Sequence, residues 1–135
     1  MPPEVSKKVA RRLRRELVIW FTSVTPGGMP QPTPVWFLWD GDAFLIYSQP
    51  NTRKLRNIAH DSQVALNLNS DEAGLEIVVI GGEASLDPDA PPVNRNPAYV
   101  RKYRAGIADI GLTPDTMAAE YSVAIRVTPT RVRQE

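Results

Sequence analysis

Pro30-Gln31-Pro32-Thr33-Pro34-Val35-Trp36-Phe37-Leu38-Trp39, Asp40-Gly41-Asp42, Ala43-Phe44-Leu45-Ile46-Tyr47-Ser48 and, after Gln49-Pro50-Asn51, Thr52-Arg53-Lys54-Leu55-Arg56-Asn57-Ile58 read as strand, tight turn, strand and short helix. The first strand, over about 32–39, is apolar on both faces: Pro34, Trp36 and Leu38 point one way, Val35, Phe37 and Trp39 the other. Such a pattern suits a small barrel strand with the interior on one face and a partner or cofactor on the other. Its leading prolines deny ladder donors, which places it at an edge or a bulge. Arg53, Lys54 and Arg56 are the only Lys or Arg residues between Arg15 and Arg95. Asn51 or Thr52 caps the helix, leaving first-turn N–H groups free beside these cations, and such a helix start attracts an anion. Basic side chains there oppose the helix dipole, so a bound anion would offset them. Solvated charges paired with the acidic middle of the chain are the alternative reading.

Outward from that core, residues 4–16 read as a basic amphipathic helix with Val5, Val9, Leu13 and Leu17 as its stripe. Leu17–Val24 is a strand, and residues 25–30 form a turn. A helix over about 52–60 is followed by a strand over 63–69, a loop at 71–74 and a strand over 75–86. Gly81-Gly82 in that strand marks a bulge or a close approach. Four prolines from Asp87 to Pro97 make an extended connection. Asn96-Pro97 opens a helix through Arg104 that Gly106 stops, and Thr113-Pro114 opens another through about Ala119. The last strand spans 121–127, ahead of a basic tail.

The tally is a mainly β fold: a six- to seven-stranded antiparallel barrel with short helices, in one domain over 1–135. The absence of cysteine excludes disulfides, thiolate metal sites and cysteine nucleophiles; a single histidine excludes a histidine pair within one chain. No metal site and no catalytic side chain is assigned. The net charge of +1 makes no general case for nucleic acid, and no apolar run suits a membrane span, so a cytoplasmic protein is expected.

Gln31–Phe37, Tyr47-Ser48 and Thr52–Ile58, with the segments Tyr103–Pro114 and Glu120–Val132, resemble the pyridoxamine 5′-phosphate oxidase-like superfamily. Within it they are most similar to the actinobacterial coenzyme F420-dependent reductase branch. The resemblance implies a split β-barrel homodimer with cofactor sites at the subunit interface. It also implies a ring laid along Pro34, Val35 and Trp36, beside Tyr47, and a phosphate grip of Ser48, Thr52, Arg53, Lys54 and Asn57. Family oxidases of pyridoxamine phosphate carry a basic residue in the second strand; Thr33 and Leu38 stand at those places here, which favours F420 over FMN. The reaction implied is hydride transfer from reduced deazaflavin to an unsaturated or carbonyl-conjugated small molecule. An FMN-dependent oxidoreductase and a non-catalytic flavin, deazaflavin or tetrapyrrole carrier are the alternatives.

Three side-chain groups outside the grip carry expectations of their own. The six bases of the first fifteen residues form a solvated face or steer the oligoglutamate tail of F420; without stacking aromatics they do not suggest nucleic acid. Tyr99, Tyr103 and Tyr121 are candidates to reach a substrate pocket. His60 reads as a surface residue near its helix end.

Overall fold

The computed structural model describes residues 3–135. Seven strands form one antiparallel sheet: β1 (Ile19–Val24), β2 (Pro30–Val35), β3 (Leu38–Trp39), β4 (Phe44–Ser48), β5 (Gln63–Asn67), β6 (Val78–Leu86) and β7 (Val123–Gln134). Their order is β2-β1-β5-β6-β7-β4-β3, so β2 and β3 are the two edges. Only Trp36 and Phe37 separate these edges in the chain. Three residue steps span at most about 11 Å, so the sheet must curl until its edges nearly meet. That curling makes the split barrel, and four helices decorate it: α1 (Lys7–Arg15), α2 (Arg53–His60), α3 (Pro97–Asp109) and α4 (Pro114–Glu120).

The barrel interior holds Ile19, Phe21, Phe37, Phe44, Ile46, Leu66, Ile80, Ile125 and Val127, closed at one end by Val9 and Leu13 of α1. A second apolar cluster lies outside β4, where Leu45 and Tyr47 meet Tyr99, Tyr103, Ile107 and Met117 of α3 and α4. All five residues of β4 are therefore buried. The alternation expected of 34–39 holds, since Val35, Phe37 and Trp39 join the interior cluster while Trp36 and Leu38 join the outer one. Within the one chain β4 is buried on both faces, while β2 alternates exposed and half-buried residues, because α3 and α4 cover β4 and leave this edge bare.

Other boundaries differ from the sequence reading for definite reasons. The strand expected over 32–39 starts at Pro30 and breaks at Trp36–Phe37. There Phe37 N–H donates to the Tyr103 hydroxyl at 2.9 Å, and its carbonyl accepts from Lys102 Nζ at 2.9 Å, so α3 takes the ladder groups. The Tyr103 hydroxyl donates in turn to the Leu17 carbonyl at 2.8 Å. Leu17 lies past the end of α1 and is 52% exposed, not part of its apolar stripe. The strands expected over 63–69 and 75–86 are shorter, ending at Asn67 and starting at Val78. α3 kinks at Tyr103 (φ −111°, ψ 16°), beside the end expected at Arg104, and then continues through Gly106 to Asp109; Gly111, at φ +80°, follows its end. β7 continues across Pro129 to Gln134, since a register shift opposite Gly81/Gly82 lets proline sit at a bulge.

Within α1, Lys8 pairs with Glu76 at 3.2 Å; Arg12 pairs with Glu16 and donates to the Asn69 carbonyl at 2.7 Å. Those two bases serve the fold. Lys7, Arg11, Arg14 and Arg15 form no ion pair among the described residues. No helix among these residues is long and apolar enough to cross a membrane.

Lys102 also gives the fold a pH signature. Its ammonium lies 3.8 Å from the Phe37 ring centroid, and burial pushes its pKa down to about 8, against the opposing charge of Glu16. The unfolded chain holds that proton up to about 10.5. Between the two values the unfolded state binds more protons, so stability rises with pH. Lys54, also lowered by burial, acts in the same direction. Above 10.0 the slope reverses, because burial raises Tyr47, Tyr99 and Tyr103 and the folded state then keeps more protons. Urea midpoints at pH 7 and 9 should therefore increase for the wild type, with much of the rise missing in Lys102→Met; equal slopes would contradict this assignment.

Candidate cofactor-binding site

At the end of β4 the chain turns sharply through Asn51, whose φ of 63° lies in the left-handed region that asparagine is one of the few residues to tolerate. Arg56 closes this turn by donating to the Asn51 carbonyl at 2.8 Å. Thr52 is the N-cap of α2, yet its side chain makes no capping bond to the helix. Its hydroxyl lies 3.2 Å from that of Ser48 instead. The first-turn amides of α2 are left without a side-chain acceptor, at the positive end of the helix dipole.

Two cavities meet at Thr52 and Lys54. The first, of about 390 Å³, has Pro34, Val35 and Trp36 along one wall and Tyr47 and Gln49 from the end of β4. Tyr99, Ile110, Met117 and Tyr121 complete it from the side of α3 and α4. The second, of about 490 Å³, lies between the start of α2, including Arg53, and the segment Met29–Thr33. Both volumes fall within the usual few-hundred-Å³ range of small-molecule sites. Among the described residues none of Arg53, Lys54 and Arg56 forms an ion pair, so the acidic middle of the chain does not neutralise this cluster. Burial holds the Lys54 pKa below the ordinary lysine value with no anion beside it. A half-buried, unpaired ammonium next to free helix amides has the chemistry to accept a phosphate or carboxylate.

The structure thus brings Pro34, Val35, Trp36, Tyr47, Thr52, Arg53 and Lys54 to the cavity walls. Ser48 and Asn57 lie behind them. Ser48 is 1% exposed and donates to the Gln49 carbonyl at 2.8 Å. Asn57 is 3% exposed, and its amide donates to Ser23 Oγ at 3.0 Å and Gln31 Oε1 at 2.8 Å, tying α2 to β1 and β2. Arg56 lines neither cavity.

Of the three tyrosines, Tyr99 and Tyr121 reach the first cavity and Tyr103 does not. Gln49, Ile110 and Met117 escaped the sequence reading. Only Ile110 left a trace, as an apolar residue just past a helix end, and it is 50% exposed. Among the described residues, the Tyr99 hydroxyl is the one buried side-chain polar atom without a hydrogen-bond partner. Native interiors rarely leave such a group unmatched unless a ligand or water supplies the acceptor.

The sequence over residues 5–135 matches the family model described as pyridoxamine 5′-phosphate oxidase. The chain belongs to this family. No protein of curated function matches it. Among solved structures, an F420 reductase is 26% identical with a TM-score of 0.72, over 98% of this chain and 99% of that one. The conserved hypothetical protein Rv2991 from Mycobacterium tuberculosis gives a TM-score of 0.75 at 18% identity, over 98% of this chain and 84% of that one. HutZ, the haem storage protein from Vibrio cholerae, gives 0.66 at 14%, over 95% and 93%. At those identities the last two show a shared fold only.

Within this pyridoxamine 5′-phosphate oxidase fold, neither place considered for a second-strand basic residue holds one. Thr33 lines the second cavity, and Leu38 packs in the outer apolar cluster. The single histidine, His60, is exposed in the last turn of α2 and lines neither cavity.

Proposed function

We propose that the chain is a coenzyme F420-dependent reductase of the pyridoxamine 5′-phosphate oxidase family. The observation that carries this reading is the junction of the two cavities: an aromatic and proline wall on one side, an unpaired cationic helix start on the other. Likeness over the full chain to a solved F420 reductase supports it. Bound there, reduced deazaflavin would supply a hydride to an electron-poor double bond. The protein's own part is to bind, orient and shield. Lys54, Arg53 and the first-turn amides of α2 hold the phosphate end. Pro34, Val35 and Trp36 support one face of the ring, and Ile110, Met117 and Tyr121 leave an apolar compartment for a small acceptor. No side chain is assigned a proton-transfer step. FMN offers the same ring-and-phosphate pattern and stands as the rival cofactor.

This reading also makes the protein a homodimer with each site shared between copies. The outer face of β2 is exposed, Met29 at the rim of the second cavity is 64% exposed, and a second copy would cover both.

The test is a side-by-side titration with F420 and FMN followed by tryptophan fluorescence, with oxidation of reduced F420 measured against a panel of conjugated carbonyl compounds. Tighter binding of F420 and acceptor-dependent oxidation support the proposal. Exclusive FMN binding, or tight F420 binding with no turnover on any acceptor, contradicts it.

Tyr99 offers a second check. Removing a buried hydroxyl that has no partner should stabilise the ligand-free protein or leave it unchanged, by up to about 1 kcal/mol, whereas losing a ligand hydrogen bond should weaken binding several-fold. Tyr99→Phe is thus expected to keep or raise the melting temperature and to raise the F420 dissociation constant. A lower melting temperature with unchanged affinity would show that the hydroxyl serves the fold.

A further inference from the structure

Gly106 lies inside α3, where alanine is ordinarily the better helix former. Its reason for being there is across the helix boundary. A Cβ at this position would stand 3.1 Å from Cη2 and 3.2 Å from Cζ2 of Trp36. The indole is confined on other sides too. One face stacks on Tyr103, with ring centroids 4.6 Å apart and planes within 3°. The adjoining residue, Phe37, is held at its N–H by Tyr103 and at its carbonyl by Lys102. Trp36 also forms part of the wall of the first cavity, so the open direction for the ring is into that space.

We propose that Gly106 is a specificity-determining residue: by carrying no side chain it lets Trp36 lie back against α3, and so sets the depth of the cavity that receives a planar ring. The identity of that ring as a deazaflavin rests on the proposed function; the placement of Trp36 does not. A methyl group at 106 forces the indole to yield by a few tenths of an ångström, and a larger side chain forces more. Tyr103 and the pinned Phe37 backbone turn that shift toward the cavity. The anion grip is spared, because Thr52, Arg53 and Lys54 belong to the start of α2.

The experiment uses full-length protein in which Trp20 and Trp39 are replaced by Phe, leaving Trp36 as the sole tryptophan of three. Gly106→Ala and Gly106→Leu are compared with the parent for Trp36 emission, acrylamide quenching, and affinity for F420, FMN and inorganic phosphate. The expected result is altered Trp36 emission in both variants. Ring-ligand affinity should fall about three- to tenfold for Ala and more than about tenfold for Leu, with phosphate affinity unchanged. Adding Trp36→Phe to Gly106→Leu should restore part of the lost affinity by returning space. Unchanged emission together with unchanged ring affinity in Gly106→Leu would overturn the inference, as would parallel losses for phosphate and ring, which mark general damage. If the parent binds neither ring, the cofactor reading fails instead. Trp36 emission and quenching then decide only whether Gly106 sets the position of the indole: a change upholds that placement and no change sinks it.

Discussion

Lys54→Ala is expected to weaken F420 binding by roughly ten- to 100-fold, about 1.4–2.7 kcal/mol, the usual worth of a charge-assisted hydrogen bond made by a half-buried group. The magnitude follows from the position of the side chain. Lys54 faces both cavities, has no anionic partner among the described residues, and has its pKa lowered by burial. An anion there would form a charge-assisted bond in a poorly hydrated setting. Arg56→Ala is the control, since that guanidinium donates to the Asn51 carbonyl and lines neither cavity; its effect on affinity should be far smaller. Affinity should also fall at a lower alkaline pH than a solvated lysine, at 10.5, would dictate. Isothermal titration of both variants with F420 and FMN measures this. Equal losses, or none for Lys54→Ala, would remove the phosphate from the start of α2.

The second large effect concerns stability. Gly82→Ala should destabilise the fold by about 3 kcal/mol or more, because a Cβ there would stand 2.7 Å from the Thr128 carbonyl oxygen and 2.9 Å from Val127 Cγ1. Backbone cannot step aside as a flexible side-chain tip can, and this is the β6–β7 register shift that carries Pro129. A loss of that size corresponds to a fall in melting temperature of roughly 10 °C or more for a domain of this length. Gly81→Ala is the matched comparison: its Cβ would meet Arg131 Cβ at 3.7 Å, an ordinary contact, and the melting temperature should barely move. Similar melting curves for the two variants would contradict this account of the bulge.

Period-two alternation in 34–39 separates Val35, Phe37 and Trp39 from Trp36 and Leu38, and the barrel sorts them that way, because alternation is a local property of extended chain. The Asp40-Gly41-Asp42 reversal is equally local: Gly41 takes φ 99°, and the Asp40 carboxylate accepts from the Asp42 and Ala43 amides. The isolated cations at 53, 54 and 56 fall at the start of a helix, as their spacing predicts. What stays hidden in the sequence depends on distant partners. The break at Phe37 is made by Tyr103 and Lys102, more than sixty positions away. Gly106 resembles a helix stop until Trp36 is placed against it. Asn57 resembles a ligand contact, but in the fold its amide engages Ser23 and Gln31. Similarly, β7 passes Pro129 because its own extra residue, Thr130, is left unpaired opposite Gly81/Gly82, which the tail's composition does not reveal.

The most direct measurement is a crystal structure of the protein with F420 bound. The present account predicts a phosphate within hydrogen-bond distance of Lys54 Nζ and the first-turn amides of α2, with the ring against Pro34, Val35 and Trp36. A complex in which Arg53 and Lys54 face bulk water, and the cofactor lies elsewhere, would contradict it.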